Sequence, residues 1–182
     1  MAFNVNEIRS QLTLGGARNS LFQVRINNPA NSAGDLKVPF LVKATQIPAS
    51  TLGLIEVPYF GRKLKIAGDR IFAPWQTTVI NDEDFLIRNA LEEWMNEINH
   101  HSENIRGFGS AGPDGYKKDA TVTQFSKTGV PIREYKFIGI YPAELAEIDL
   151  QWEAVDQIQE FQCIFQYDYW TVSGATGSAG TS

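Results

Sequence analysis

The chain has 182 residues, of which 43% are apolar and 20% charged, the composition of one folded domain and not of a disordered segment. Its 16 basic and 21 acidic side chains give a formal net charge of -5, so its surface as a whole repels phosphate, which argues against a tight nucleic-acid binder. Cys163 has no second cysteine to pair with, and no run approaches the roughly 18 apolar residues of a membrane span, so neither a disulfide scaffold nor an exported or inserted protein is expected.

Three strands are predicted in the first half of the chain. Residues 20–27 alternate between apolar and polar side chains, the period-2 pattern of a half-buried strand. A second strand is predicted near residues 38–45. A third covers residues 75–80 and ends where four polar residues begin. These segments indicate a sheet with one buried face.

A protruding hairpin is predicted between the second and third of these strands. Residues 53–60 and 62–67 form its two extended arms, and Gly61 lies at its turn. In the second arm the apolar side chains face away from the basic ones, Leu64 and Ile66 against Lys63 and Lys65. The sequence therefore predicts an amphipathic ribbon.

One amphipathic helix is predicted after residues 81–84. Asn81 or Asp82 is expected to cap its first turn, and the acids that follow suit the positive end of the helix dipole. The helix should end near residues 99–102. Its apolar stripe recurs at helical spacing and comprises Ile87, Ala90, Leu91, Trp94 and Ile98.

Strands resume after a glycine-rich loop predicted at residues 107–118. Two strands are expected at residues 119–126 and 131–142. A third, at residues 157–171, is about twice as long as an ordinary strand and suggests a sheet that extends beyond one compact core. Its two faces are Phe161, Cys163, Phe165, Tyr167 and Tyr169 on one side and Glu160, Gln162, Gln166 and Asp168 on the other.

The chain is predicted to be one domain over residues 1–172. Residues 173–182 contain only Ser, Gly, Ala and Thr, which predicts a flexible tail because they bury too little surface to offset their ordering entropy. The order of strands, one helix and further strands indicates a mainly β, α+β fold, or a closed sheet with a helix packed outside it.

The sequence offers no catalytic, cofactor or metal site. Residues 107–112 match G-x-G-x-x-G, but they follow a helix where a nucleotide-binding fold requires a strand. His100 and His101 are adjacent at the predicted helix end and point in different directions, so we interpret them as favourable charges at that end. Cys163 lies on an aromatic strand face and is expected to be buried. Paired acids such as Asp82 and Asp84 are explained by helix capping. An enzyme is therefore not expected.

Several segments together resemble the tail tube proteins of T4-like contractile bacteriophages. The resemblance runs from about Asn19 to Trp170. It rests on Phe60-Gly61-Arg62-Lys63-Leu64-Lys65-Ile66-Ala67-Gly68-Asp69-Arg70, on Pro74-Trp75, on Asn81-Asp82-Glu83-Asp84-Phe85, on the helix through Trp94-Met95-Asn96, and on Phe165-Gln166-Tyr167-Asp168-Tyr169-Trp170.

This resemblance implies a tail-tube-type β-barrel or sandwich with one flanking helix and an extended hairpin. Six copies would form a ring whose strands join into one inner barrel, and rings would stack into a tube within the virion, assembled in the host cytoplasm. The implied partners are other copies of the chain, the contractile sheath protein, baseplate and tail-terminator proteins, and tape-measure protein and DNA in the lumen without sequence-specific binding. No membrane is implied.

The resemblance also implies roles for individual residues. The hairpin should reach a neighbouring subunit, which assigns Gly61, Arg62, Lys63, Lys65 and Arg70 to subunit contacts. The inner wall should be lined by polar strand faces, which assigns Glu160, Gln162, Gln166 and Asp168 to the lumen.

Two alternatives stay open. The inner tube of a type VI secretion system or of a phage-tail-like bacteriocin would share the fold. A small-ligand-binding β-barrel is the more remote alternative, in which aromatic side chains line a cavity, namely Tyr135, Phe137, Phe161 and Phe165.

Overall fold

A computed structural model describes residues 5–12, 15–103, 105–107 and 112–174. Within these residues the helices are α1 (Val5–Gln11), α2 (Val38–Leu41), α3 (Leu86–Ile98) and α4 (Pro113–Tyr116). The strands are β1 (Phe22–Ile26), β2 (Val42–Thr45), β3 (Ser50–Tyr59), β4 (Arg62–Phe72), β5 (Trp75–Ile80), β6 (Lys118–Phe125), β7 (Pro131–Leu145), β8 (Glu160–Gln166) and β9 (Tyr169–Gly174).

Seven strands form one antiparallel sheet, in the order β1-β6-β7-β8-β5-β2, with β9 paired to β7. β3 and β4 pair only with each other and form a separate two-stranded hairpin. The hairpin connects to the sheet at its base, where the Ala73 amide donates to the Ala49 carbonyl at 3.0 Å.

β7 joins two halves of the sheet, one that contains β1, β6 and β9 and one that contains β8, β5 and β2. Residues 133–138 pair with β9, whereas residues 141–145 pair with β8. Gly139 lies between the two parts with φ +69°, and a Cβ at this position would clash with the carboxylate of Asp168. Only glycine combines this backbone conformation with so close an approach, so Gly139 allows the strand to pass from one half to the other.

The core lies where the two halves and α3 meet. Its five largest side chains are at most 2% exposed, and they are Trp75, Trp94, Phe137, Phe161 and Phe165. Trp75 stacks on Phe137 with 4.5 Å between ring centroids, and Trp94 of α3 lies 6.5 Å from Phe165. The sheet therefore curves around one core with α3 against it, which confirms the mainly β fold with a flanking helix.

The helix stripe is confirmed, but its predicted cap is wrong. Ile87, Ala90, Leu91 and Trp94 are buried, and the helix ends at Ile98. Its first residue is Leu86, whose amide donates to the Asp84 carboxylate at 3.0 Å, after Phe85 in a left-handed conformation. Asn81 instead donates to the side chain of Gln159 at 2.6 Å, because it is buried at the end of β5 beside the chain that enters β8.

The strand predicted at residues 38–45 is half wrong. Its first four residues form α2, which has a proline at the start of its first turn, and only residues 42–45 extend as β2. Proline fixes the φ angle of a first helical turn at no hydrogen-bonding cost, and this local preference overrides the apolar pattern. Pro113 similarly begins α4 inside the predicted loop.

The long strand predicted at residues 157–171 is also wrong. It divides into β8 and β9, which pair with different parts of β7. At the corner the Asp168 amide donates to the Ile138 carbonyl at 3.0 Å, and the Asp168 carboxylate accepts from Lys117 at 2.6 Å. Alternation continues through the corner, so the period-2 pattern cannot reveal it. The longest strand is β7, with 15 residues.

The two ends of the described chain differ from expectation in detail. α1 is a seven-residue helix with no buried residue, which the sequence pattern did not predict. Ser173 and Gly174 pair with Glu134 and Arg133 as the last residues of β9, and residues 175–182 lie outside the described residues. In the part of the chain that the structure describes, no helix is long and apolar enough to cross a membrane.

Candidate assembly surfaces

The hairpin is a long ribbon with a two-residue turn. Phe60 and Gly61 both have positive φ, 41° and 79°, which matches the right-handed twist of the flanking strands. A side chain added at Gly61 would meet nothing within 4 Å. Phe60 is 91% exposed. The tip therefore projects into solvent, as the sequence predicted for a protruding hairpin.

Register gives the hairpin two different faces. Ile55 lies opposite Ile66 and Val57 opposite Leu64, so these four side chains share one face. We call them the apolar ladder; each is between 42% and 59% exposed. The other face carries Glu56 opposite Lys65. An isolated domain gains nothing by presenting such a ladder to water, so the face is suited to a partner.

The five predicted interface residues do not lie together. Gly61 is in the turn, and Arg62 lies opposite Tyr59, next to the apolar ladder. Lys63 and Lys65 are on the opposite face, where Lys63 forms an ion pair with Glu56 of its own hairpin at 2.5 Å. Arg70 lies opposite Leu52 nearer the base. All five are exposed. The assignment of these five residues to subunit contacts stays a prediction, and the apolar ladder beside them was not part of it.

The predicted lumen residues fall into two groups. Glu160, Gln162 and Gln166 alternate with buried residues of β8 and share the sheet face that points away from the core. Asp168 lies at the corner after β8, in the ion pair with Lys117, whose hydrogen bond raises the pKa of that lysine. The first three therefore form one surface, and Asp168 does not belong to it.

Residues of neighbouring strands extend this polar face beyond the prediction. The Gln76 side chain donates to Gln162 at 2.7 Å and accepts from Gln46 at 3.3 Å. Glu160 forms an ion pair with Lys43 at 2.5 Å. Lys43 lies in β2 and Gln46 directly follows it, at the edge of the sheet, and they come next to β8 only through β5. Sequence periodicity within one strand could not identify them.

A third exposed surface is the connection between β7 and β8, residues 146–159, which we call the acidic segment. It contains four acidic side chains and no basic one, Glu147, Asp149, Glu153 and Asp156. Four apolar side chains within it are at least 71% exposed, Leu150, Trp152, Val155 and Ile158. The Arg88 guanidinium donates to the Ala146 carbonyl at 3.0 Å and fixes the start of the segment. The sequence analysis did not single it out.

The residues considered for chemistry have structural roles. Lys37 contacts both Asp82 and Asp84, and its hydrogen bond lowers the pKa of Asp84. The His101 ring lies 2.8 Å from the Asn96 side-chain oxygen. Burial raises the pKa of the Cys163 thiol. Of the glycine-rich motif, residues 108–111 lie outside the described residues. Among the described residues no three His, Cys, Asp or Glu side chains are grouped to hold a metal ion.

The aromatic residues of the ligand-binding alternative belong to the core and its margin. Phe137, Phe161 and Phe165 are buried and packed against the rest of the core. Tyr135 is partly buried, with its ring 5.8 Å from that of Trp170. These rings fill the interior that a ligand would need.

Comparison with known proteins places the chain in a family. The family model described as phage tail tube protein matches residues 4–173. Tail tube protein gp19 of Enterobacteria phage T4 is 33% identical over 155 residues, which cover 85% of this chain and 90% of that protein. The tail tube protein of Serratia phage KSP90 is 33% identical over 168 residues, covering 90% of this chain and 93% of that protein.

A solved structure shares the fold. The tube terminating cap of the anti-feeding prophage superposes with a TM-score of 0.65 at 16% identity, covering 87% of this chain and 91% of that one. The family match spans nearly the whole chain, and the phage relatives agree with it over most of their own length. The chain therefore belongs to the phage tail tube protein family.

Proposed function

We propose that this chain is the structural subunit of the inner tail tube of a contractile-tailed phage. Stacked rings of six copies form the conduit through which genome and tape-measure protein pass. The observation that carries the proposal is the family match over residues 4–173. The role is non-enzymatic, and the protein is a component of the virion.

The relatives favour a phage tube over the tube of another contractile injection system. The tail tube protein of phage T4 is 33% identical, whereas the cap of the anti-feeding prophage shares 16% of its residues and supports the fold alone. A common fold suits either machine. The difference in identity supports the phage tail.

In this proposal the hairpin extends from one subunit and contacts a neighbouring copy. Its exposed position and its length support this assignment, as do Gly61, Arg62, Lys63, Lys65 and Arg70, which are all exposed. Replacing the four basic residues by Glu is expected to leave a folded subunit that no longer polymerises. Circular dichroism tests the folding and electron microscopy the polymerisation, and normal tubes from this variant would contradict the assignment.

The polar face of β8 lines the lumen in this proposal. Glu160, Gln162 and Gln166 point away from the core and present no basic side chain of their own strand. Such a face suits a conduit, because a wall that does not attract phosphate lets DNA slide. Asp168 lies at the corner between β8 and β9, outside this face, so its assignment to the lumen depends on the resemblance alone. In a Gln162→Cys variant, a bulky thiol reagent should label free subunits faster than the middle of assembled tubes.

Partners follow from the place of a tube in a tail. We assign the outer surface to the contractile sheath protein, the two ends of the tube to baseplate and tail-terminator proteins, and the lumen to tape-measure protein and DNA without sequence-specific binding. The formal charge of -5 supports the last point.

Electron microscopy of the purified protein tests the function itself. Negative-stain images over a range of concentrations should show rings or hollow tubes of uniform diameter, and size-exclusion chromatography on the same samples should show the matching large species. A chain that stays monomeric at every concentration, even with a baseplate or ring seed, would refute the tube assignment.

A further inference from the structure

The two exposed apolar surfaces of this chain have opposite charge. The hairpin, Ser50–Phe72, contains four basic and two acidic side chains, and the acidic segment contains four acidic and no basic ones. Each presents at least four apolar side chains to solvent. Surfaces that match in both apolar character and charge fit each other.

Within one copy these surfaces do not cover each other. Leu64 of the apolar ladder is 59% exposed, and Trp152 and Val155 of the acidic segment are 103% and 73% exposed. Side chains in contact would have lost this exposure. Any contact between the two surfaces therefore joins different copies.

We propose that the apolar ladder of one copy docks on the acidic segment of a neighbouring copy. The inference rests on the proposed function, and it names the surface that receives the hairpin. Ile55, Val57, Leu64 and Ile66 pack against Leu150, Trp152, Val155 and Ile158, and Arg62, on the same face as the apolar ladder, lies against the acidic side chains at the rim.

Charge is arranged to support this docking. Arg62 lies next to the apolar ladder, opposite Tyr59. Lys63 is already paired with Glu56, so the basic side chains without an ion pair inside the hairpin are Arg62, Lys65 and Arg70. Arg62 meets carboxylates from the ladder face itself, whereas Lys65 lies on the opposite face and reaches them by passing its aliphatic stem around the edge of the two-stranded ribbon.

The geometry of such a contact suits a tube. Every copy carries both surfaces, and the surfaces differ, so the contact is heterologous and repeats from copy to copy. Heterologous contacts generate closed rings or open helical stacks, whereas a contact between two hairpins would end at a dimer. We therefore infer that the partner of each surface is a second copy of this chain.

Photo-cross-linking tests the contact without assuming its register. Leu64 is replaced by p-benzoyl-L-phenylalanine, and the variant is co-expressed with an excess of the wild-type chain so that tubes still assemble. After irradiation, cross-linked dimers are separated by denaturing electrophoresis and their cross-linked peptides are mapped by mass spectrometry. Val130, which is 58% exposed and lies in the turn between β6 and β7, receives the same photo-reactive residue as a matched control.

The expected result is a dimer whose cross-linked peptides join position 64 to residues 146–159 of the other copy. The Val130 control should give no such product. Cross-links from position 64 to any other segment, or equal cross-linking to residues 146–159 from position 130, would overturn the proposal while tubes are still seen. Absence of tubes from the wild-type chain would instead refute the proposed function.

Discussion

Replacing Leu64 and Ile66 together by Thr should weaken assembly without weakening the fold. In the single chain these side chains are 59% and 46% exposed, so about half of each remains to be buried by a neighbour. Full burial of a Leu or Ile side chain contributes about 1.5–3 kcal/mol, so burial of the remaining half adds about 0.8–1.5 kcal/mol per residue to docking. The double substitution should cost about 1.5–3 kcal/mol for each contact.

That cost corresponds to a roughly 10- to 150-fold weaker association at each contact. The critical concentration for assembly, measured by sedimentation at increasing protein concentration, should rise by a similar factor. Thr keeps the strand preference of the arm, so hairpin conformation is preserved. The melting temperature of the unassembled subunit should be unchanged because the hairpin lies outside the core.

Val130→Thr provides the control, since Val130 is equally exposed but lies outside the hairpin and the acidic segment. Its critical concentration should match that of the wild-type chain. The reasoning would be refuted by a double variant that assembles at the wild-type concentration. A large fall in its melting temperature would also refute it, because the ladder would then support the fold of the subunit itself.

Three predictions concern the subunit itself. Trp94→Phe should lower the free energy of unfolding in urea by about 1–3 kcal/mol, because the Trp94 indole donates to the Tyr116 carbonyl at 2.9 Å, whereas Trp152→Phe at a fully exposed position should not. Cys163 should resist a thiol reagent at about pH 8 until the chain is unfolded, since it is 0% exposed; rapid labelling of the native protein would contradict its burial. Burial raises the pKa of Tyr167 from 10.0 to about 12, so the unfolded chain ionises first and stability should fall as pH rises through this interval. Tyr167→Phe should remove that part of the fall in urea unfolding at high pH.

Local patterns predicted the elements that one stretch of sequence determines. The stripe from Ile87 to Trp94 gave the helix and its buried face, since a helix repeats every 3.6 residues whatever it packs against. The two arms around Gly61 gave the hairpin, because a turn with positive φ favours glycine. Alternation along β8 gave the buried position of Cys163.

Features that depend on distant residues were not predicted. The corner at Asp168 depends on the Ile138 carbonyl and on Lys117, which lie 30 and 51 residues away in the chain. Asn81 is taken from its expected capping role by Gln159. These partners lie too far away in the chain for a local pattern to include them. The alternation rule therefore continued β8 through the corner, and the capping rule assigned Asn81 to the helix.

The sequence identified some of the exposed residues of the candidate surfaces and missed others, for a physical reason. The sequence analysis placed Leu64 and Ile66 on the face away from the lysines. It nevertheless assigned the subunit contacts to charged side chains, Lys63 and Lys65 among them. The acidic segment had a readable signal, a run of 14 residues with four acids, no base and a tryptophan. An apolar pattern outside a helix or strand is usually assigned to a core, and only the exposure of Trp152 shows that this one is on the surface.

The distribution of charge explains how the subunit can expose an apolar hairpin without two hairpins pairing with each other. The hairpin holds four of the 16 basic side chains but only two of the 21 acidic ones, so the rest of the subunit is more negative than the chain as a whole. Two hairpins repel each other by charge, which opposes pairing of their exposed apolar faces, whereas a hairpin is attracted to the acidic remainder of another copy. Attraction alone does not choose a site, because solvent-exposed charges are screened within about 10 Å. The apolar side chains of residues 146–159 supply the selective part, so charge brings copies together, and burial of the apolar ladder against these side chains sets the orientation and holds it.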